Sequence, residues 1–112
     1  MTCGTFQMAK KLFGALAILF LLIASVRADD SPALYKEKCA FCHGPDGKGS
    51  TTLGKKIGVR DFASPEVRKE TDRELIEITT KGKNNMPAYK SSLKDSQIKG
   101  LIAYIIELAR KK

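Results

Sequence analysis

The chain of 112 residues has 20 Lys and Arg against 12 Asp and Glu, a formal charge of +8, with three Cys, one His and no Trp. This length holds one domain at most, which excludes a multi-domain enzyme. A single His excludes a catalytic site or metal cage built from several histidines. Three Cys cannot form the two or more disulfides of a stapled secreted domain.

The N-terminal segment has the pattern of a secretory signal peptide. Two lysines precede residues 12–24, none of which has a polar side chain. A helix of that length would span about 20 Å, short of the roughly 30 Å hydrocarbon core of a bilayer. Val26 and Ala28 fit the −3 and −1 positions of a signal-peptidase site. The pattern predicts a signal peptide over 1–28, export to the periplasm and a domain over 29–112, with an uncleaved membrane anchor as the alternative.

Removal of residues 1–28 would leave 84 residues with 17 basic and 12 acidic side chains, a charge of +5. The Cys, His and Met side chains that remain are Cys39, Cys42, His43 and Met86. A domain of this size buries a modest fraction of its surface and often needs a staple or a cofactor to complete its core.

The first half of this domain predicts one helix, a long loop and a helical turn. Ser31 and Pro32 begin the helix, as N-cap and first helical residue, and the helix runs into the segment 39–43. A loop follows over 44–62, where glycines recur. A short helical turn is predicted over 66–70.

The second half predicts two further helices, so the fold class is all-α with three main helices and long loops. Thr71 and Glu74 form a capping-box sequence before an apolar segment that Gly82 ends. A second loop follows over 83–89. Within 95–111, apolar residues recur at i, i+3, i+4 and i+7, which predicts a final amphipathic helix.

Cys39-Ala-Phe-Cys42-His43 is the C-x-x-C-H motif through which c-type haem is attached. On one helical turn the two thiols face the same side and can add to the two vinyl groups of one haem, with His43 next to the iron. Two alternatives remain. A disulfide of thioredoxin type needs a βαβ frame, which this sequence does not predict. A zinc site needs a fourth ligand, and the domain has no second Cys or His pair.

Met86 is the candidate for the opposite side of the iron. No second His exists, so ligation by two histidines of one chain is excluded. Met86 lies in the predicted loop rather than on an apolar helix face, and Pro87 biases it towards an extended backbone. The alternatives are a loop Met that packs on the core and a lysine ligand, which must first lose its proton.

Three blocks of sequence, in this order, resemble class I monohaem cytochromes c of bacteria. They are residues 35–49, which contain the C-x-x-C-H motif, residues 83–89, which contain Met-Pro, and residues 101–105. The resemblance covers the whole domain and implies the cytochrome c fold, with one covalent haem between the first and last helices.

The resemblance also implies roles for single residues. One haem c would be held by Cys39, Cys42, His43 and Met86. Leu101 and Tyr104 resemble the residues that pack against the first helix. Lys94 departs from the family, in which Ser or Thr is frequent as the N-cap of the last helix. Pro45 or the loop after it is the candidate region for the carbonyl that accepts the ring N–H of His43.

Two axial ligands from the protein leave no free coordination position, so we expect an electron carrier and not an enzyme. A Met ligand, and burial of the haem, would both raise its potential. The residues expected to bury it are Leu34, Phe41, Phe62, Leu75, Ile76, Ile98 and Ile102. The alternatives are a haem enzyme or ligand sensor whose Met86 dissociates, and a membrane-tethered cytochrome subunit of a respiratory complex.

Lysines in the two long loops predict a basic rim around the haem: Lys48, Lys55, Lys56, Lys81, Lys83 and Lys90. Such a rim would steer the protein to redox partners with acidic docking patches, although an ordinary solvated surface accounts for the same lysines. We expect a monomer that does not stay inserted in a membrane after signal cleavage. Nucleic-acid binding is not expected, because the chain has no basic helix.

Overall fold

The computed structural model describes residues 30–111, and the predicted signal peptide lies outside them. The helices in this range are α1 (Ser31–Lys38), α2 (Ala40–His43), α3 (Thr52–Ile57), α4 (Pro65–Arg68), α5 (Asp72–Lys81) and α6 (Asp95–Arg110). The β-structure of the range is an isolated bridge between Lys83 and Met86. The prediction of an all-α fold is confirmed. Within residues 30–111, no helix is both long and apolar enough to cross a bilayer.

Helices α1 and α2 form one helical arm with Cys39 at the junction. The Cys39 N–H donates to the Tyr35 carbonyl at 2.8 Å, and the His43 N–H donates to the Cys39 carbonyl at 3.0 Å, so hydrogen bonding continues through the arm. The predicted start was one residue late, because Ser31 is the first helical residue and not the N-cap. Its side chain is buried against Gly100 of α6.

Helix α3 interrupts the region that was predicted as one loop over 44–62. Thr51 caps it: its Oγ1 accepts a hydrogen bond from the Gly54 N–H at 2.9 Å and donates one to the Cys42 carbonyl at 2.9 Å. Gly58 closes the helix in the left-handed conformation, with φ 72°. The loop prediction was wrong here because glycine lowers helix propensity, whereas Gly54 is required by close packing: a Cβ there would collide with the Cys42 carbonyl.

Helix α5 begins and ends where the sequence predicts. The Thr71 Oγ1 accepts from the Glu74 N–H at 3.3 Å, and the Glu74 carboxylate accepts from the Thr71 N–H at 2.6 Å, which completes the capping box. Gly82 ends the helix with φ 77°. The preceding turn α4 lies over Pro65–Arg68, slightly before the predicted 66–70.

Helix α6 packs on α1 and α5, and the hydrophobic core lies between these three helices. Tyr35 and Leu101 are fully buried in this core, and the rings of Tyr35 and Tyr104 approach to 5.3 Å between centroids. The predicted packing of Leu101 and Tyr104 with the first helix is therefore confirmed. The Lys94 N–H donates to the Gln97 side chain at 2.9 Å at the start of α6.

Candidate functional site

A cavity of about 360 Å³ lies between the α1–α2 arm and the loop that follows α5. The residues predicted to hold a haem all line it: Cys39, Cys42, His43 and Met86. A smaller cavity of about 70 Å³ shares three of these residues and reaches apolar side chains of α5 and α6. The fold thus brings together residues that are as much as 47 positions apart in the sequence.

The two thiols are free, with Cys39 buried and Cys42 partly buried. Burial, and then the neighbouring Cys42, raise the pKa of the Cys39 thiol to about 11. Cys39 is therefore a protonated thiol at neutral pH. Residues 30–111 contain no βαβ frame, which removes the structural basis for a thioredoxin-type disulfide.

The ring of His43 is stacked on Phe62, with 4.6 Å between centroids and 20° between the ring planes. Its Nδ1 is buried and has no hydrogen-bond partner among the described residues, so the carbonyl expected from Pro45 or the loop after it does not accept this group here. Burial first, and the Arg60 guanidinium second, hold the pKa of His43 below its usual value. The imidazole is therefore neutral at neutral pH, which is the form that ligates a metal.

Met86 closes a tight turn at one side of the larger cavity. The Lys83 N–H donates to the Met86 carbonyl at 3.0 Å, and the Met86 N–H donates to the Lys83 carbonyl at 2.9 Å. Asn84, inside the turn, has a positive φ of 52°. Gly82 lies directly against the turn, since a Cβ there would be 2.8 Å from the Met86 carbonyl oxygen. These contacts fix the backbone position of Met86.

Tyr89 ties the segment after Met86 to two helices. Its hydroxyl donates to the Lys38 carbonyl at 3.0 Å, at the end of α1, and its N–H donates to the Thr79 carbonyl of α5 at 3.0 Å. The position of the Met86 loop is therefore set relative to the helical arm that contains Cys39.

Positive charge surrounds the larger cavity. Lys38, Arg60 and Lys83 line it, whereas no Asp or Glu is among its lining residues. Of the six lysines predicted to form a basic rim, only Lys83 lines the cavity. The other five are exposed and are not among its lining residues: Lys48, Lys55, Lys56, Lys81 and Lys90. Lys38 and Arg60 were missed, because no local motif marks a charged residue that tertiary packing brings to a cavity.

The apolar residues around the site agree in part with those expected from the sequence to bury the haem. Three of the residues expected to bury the haem line the smaller cavity: Phe62, Leu75 and Ile102. Three others belong to the adjacent hydrophobic cluster: Leu34, Ile76 and Ile98. The expectation was wrong for Phe41, which is 76% exposed. Phe41 occupies a variable position of the C-x-x-C-H motif, and that position faces outward when both thiols face the cavity.

These residues fit a covalently attached haem. The apolar side chains that line the smaller cavity suit contact with one part of a porphyrin, and the basic residues that line the larger cavity suit its two propionate carboxylates. Two thiols and a buried imidazole, the groups that attachment and ligation would use, line the same cavity.

A family model described as subunit III of cbb3-type cytochrome c oxidase matches residues 26–105. The chain belongs to this family of c-type cytochromes. Cytochrome c6 of Leptolyngbya boryana is 32% identical to this cytochrome over 81 residues, which cover 70% of the chain and 88% of that protein. The cbb3-type oxidase subunit CcoP of Azospirillum brasilense is 31% identical over 83 residues, 72% of this chain but only 28% of that subunit.

Among solved structures, the c-type cytochrome KustC0563 is similar to this cytochrome, with a TM-score of 0.65 and 33% identity. The match covers 70% of this chain and 96% of that one. The predicted family, the cytochrome c fold and the haem c cofactor are confirmed. This cytochrome carries haem c through Cys39 and Cys42, transfers electrons and acts with redox partners.

Proposed function

We propose that this cytochrome carries single electrons between partner proteins in the periplasm, and that His43 and Met86 would ligate its haem iron. One observation carries the proposal: the only His of the chain and the only Met of residues 29–112 line one cavity together with both attachment thiols. Haem c, when bound, supplies reversible one-electron chemistry at iron.

His43 is prepared for ligation by its surroundings. Stacking on Phe62 restricts rotation of the imidazole, and burial keeps the ring neutral. A ligand held in one orientation before and after electron transfer needs little rearrangement, which favours fast transfer.

Met86 provides the second ligand in this proposal. Its thioether disfavours the oxidised iron relative to a nitrogen ligand, so it raises the midpoint potential. With His43 and Met86 both on the iron, no position is open to a substrate, and we therefore propose a carrier rather than an enzyme. The two hydrogen bonds between Lys83 and Met86 oppose release of the ligand.

The surface beside the cavity supports docking of an acidic partner. Lys38 and Lys83 line the cavity with Arg60, and Phe41 is exposed next to the attachment residue Cys42. A partner with carboxylates around an apolar centre would complement this surface. We propose that the cytochrome docks there as a monomer, after removal of residues 1–28.

The ligand assignment is tested with Met86→Ala. The variant should lose the sulfur-to-iron absorption band of the oxidised protein, and its reduced form should bind carbon monoxide, which the reduced wild-type protein should not. Lys90→Ala, in the same loop, is the control and should keep the band. Retention of the band in Met86→Ala would refute the assignment, and carbon monoxide binding by the wild type would favour the ligand sensor.

A membrane-tethered oxidase subunit is the second candidate, because the matching family model and CcoP are both named as subunits of a cbb3-type oxidase. Mass spectrometry of the protein from its natural host separates the two. A mass equal to residues 29–112 plus one haem supports the carrier. Retention of residues 1–28 in a membrane fraction supports the tethered subunit.

A further inference from the structure

Arg60 differs from the other charged residues in the described part of the chain by its position at both cavities. It lines both cavities, and it is the only Arg, Lys, Asp or Glu among the residues that line the smaller, more apolar one. It also lies close enough to His43 to contribute to the lowered pKa of the imidazole. A positive charge is thus present beside the apolar side chains that are proposed to contact the porphyrin.

Arg60 is held in place by Glu70. Two parallel hydrogen bonds join the guanidinium to the carboxylate, at 3.0 Å and 3.2 Å. The Glu70 side chain is only 18% exposed and that of Arg60 is 45% exposed. A two-point contact of this kind fixes the orientation of the guanidinium, which a single contact would leave free to rotate. The Glu70 N–H in turn donates to the Val67 carbonyl at 3.0 Å, so the backbone of Glu70 belongs to a short hydrogen-bonded turn.

The two charges act in opposite directions on electron transfer. The oxidised haem centre carries one more positive charge than the reduced centre, so a nearby cation favours the reduced form and a nearby anion favours the oxidised form. Reduction adds one electron, which a redox partner supplies.

We propose that the Arg60–Glu70 pair sets the midpoint potential of this cytochrome, with Arg60 raising it and Glu70 opposing that effect. The inference rests on the haem position in the proposed function but not on Met86 as a ligand. Because Arg60 faces the cavity and Glu70 lies behind it, the effect of Arg60 is the larger of the two. Surface charges at a distance are screened by salt, and a pair at the edge of an apolar cavity is screened less.

The test is the midpoint potential of the haem-loaded protein, measured by spectroelectrochemistry at low ionic strength. Arg60→Gln should lower the potential, Arg60→Lys should keep it near the wild-type value, and Glu70→Gln should raise it. The double variant should lie between wild type and Arg60→Gln. Matched controls are Arg73→Gln on α5 and Glu66→Gln on α4, exposed residues that line none of these cavities.

The lysine variant separates charge from structure. If Arg60 acted only as a structural anchor, Arg60→Lys and Arg60→Gln would alter the potential alike, because both lose the two-point contact with Glu70. Shifts in Arg60→Gln and Glu70→Gln no larger than those of the controls would overturn the proposal. The sulfur-to-iron band is recorded for every variant, so an error in the Met86 assignment is recognised independently of these potentials.

Discussion

Single residues determine the position of the loop that contains Met86, and Gly82 is the clearest case. It adopts φ 77° and ψ 162°, a region of backbone conformation that is essentially restricted to glycine. A side chain there would also meet the Met86 carbonyl oxygen and the Ala88 nitrogen at 2.8 and 3.0 Å, and both are backbone atoms that cannot rotate away. Gly82 is therefore a positioning residue for Met86.

Gly82→Ala should shift the Met86 backbone and weaken or abolish the sulfur-to-iron band of the oxidised protein. Gly58→Ala is the control, because Gly58 also lines the larger cavity and has a positive φ, 72°, but a Cβ there would meet no atom of the chain within 4 Å. It should cost about 1 kcal/mol of stability from backbone strain and leave the band unchanged. Absorption spectra of the two variants decide this, and equal loss of the band in both would contradict the role given to Gly82.

The residue scale also shows what a sequence reveals about such a site. Cys39, Cys42 and His43 are adjacent in one motif, and Met86 stands out because the domain has no other Met, so all four could be proposed from the sequence. Arg60 could not, since its significance depends on a cavity assembled from distant segments and on a partner ten positions away.

At the scale of elements, capping decides where helices begin. The Glu74 carboxylate accepts hydrogen bonds from the N–H and the hydroxyl of Thr71, at 2.6 and 2.9 Å, and these hold its pKa below the usual value. The capping-box sequence, with Thr71 three residues before Glu74, made helix α5 predictable. The start of α3 was missed because the glycines of this region favour a loop, although Thr51 caps the helix by accepting from the Gly54 N–H.

Glu74→Gln tests the charge of this capping box. A carboxyl whose pKa is lower in the folded state adds stability above its unfolded pKa, about 4.3, and loses it as pH falls through the folded-state value. The difference in unfolding free energy between wild type and Glu74→Gln should therefore be full at pH 7 and shrink below about pH 4. Denaturant unfolding followed by circular dichroism measures it. A difference that grows on acidification would contradict the capping role.

Thr71→Ala removes the hydroxyl that accepts from the Glu74 N–H. The variant should lose about 1 kcal/mol of stability at neutral pH, the usual cost of an N-cap substitution. Thr52→Ala is the control, because Thr52 is an exposed threonine within α3 and not at a cap. Equal losses of stability in the two variants would show that the effect of Thr71→Ala does not come from removal of the cap.

At the scale of the whole molecule, charge and core are segregated. The α1–α5–α6 core is apolar, and the cavity beside it carries Lys38, Arg60 and Lys83 without a carboxylate among its lining residues. The net charge predicted a basic protein, but not this distribution, because five of the six lysines singled out in the loops are not among the residues that line the cavity. Tertiary packing, rather than loop membership, determines which basic residues line the cavity.

Electron transfer to an acidic redox protein should therefore slow as ionic strength rises. Lys83→Gln should lower the second-order rate several-fold at low salt and have little effect at high salt. Lys99→Gln, an exposed position on α6, is the control for loss of one charge and should change the rate less. Stopped-flow kinetics over a salt series measures both. A rate that is independent of salt would exclude acidic docking.

The hydrogen bond from Tyr89 to Lys38 makes the position of the segment that carries Met86 independent of the side chain at position 38. It joins residues 51 positions apart, yet on the α1 side it uses only a backbone carbonyl. The identity of the side chain at position 38 is therefore free to change without loosening the segment that carries Met86. A lineage that acquires a new redox partner can reverse the charge at this position and keep its haem ligation intact, whereas the tyrosine at position 89 has no such freedom.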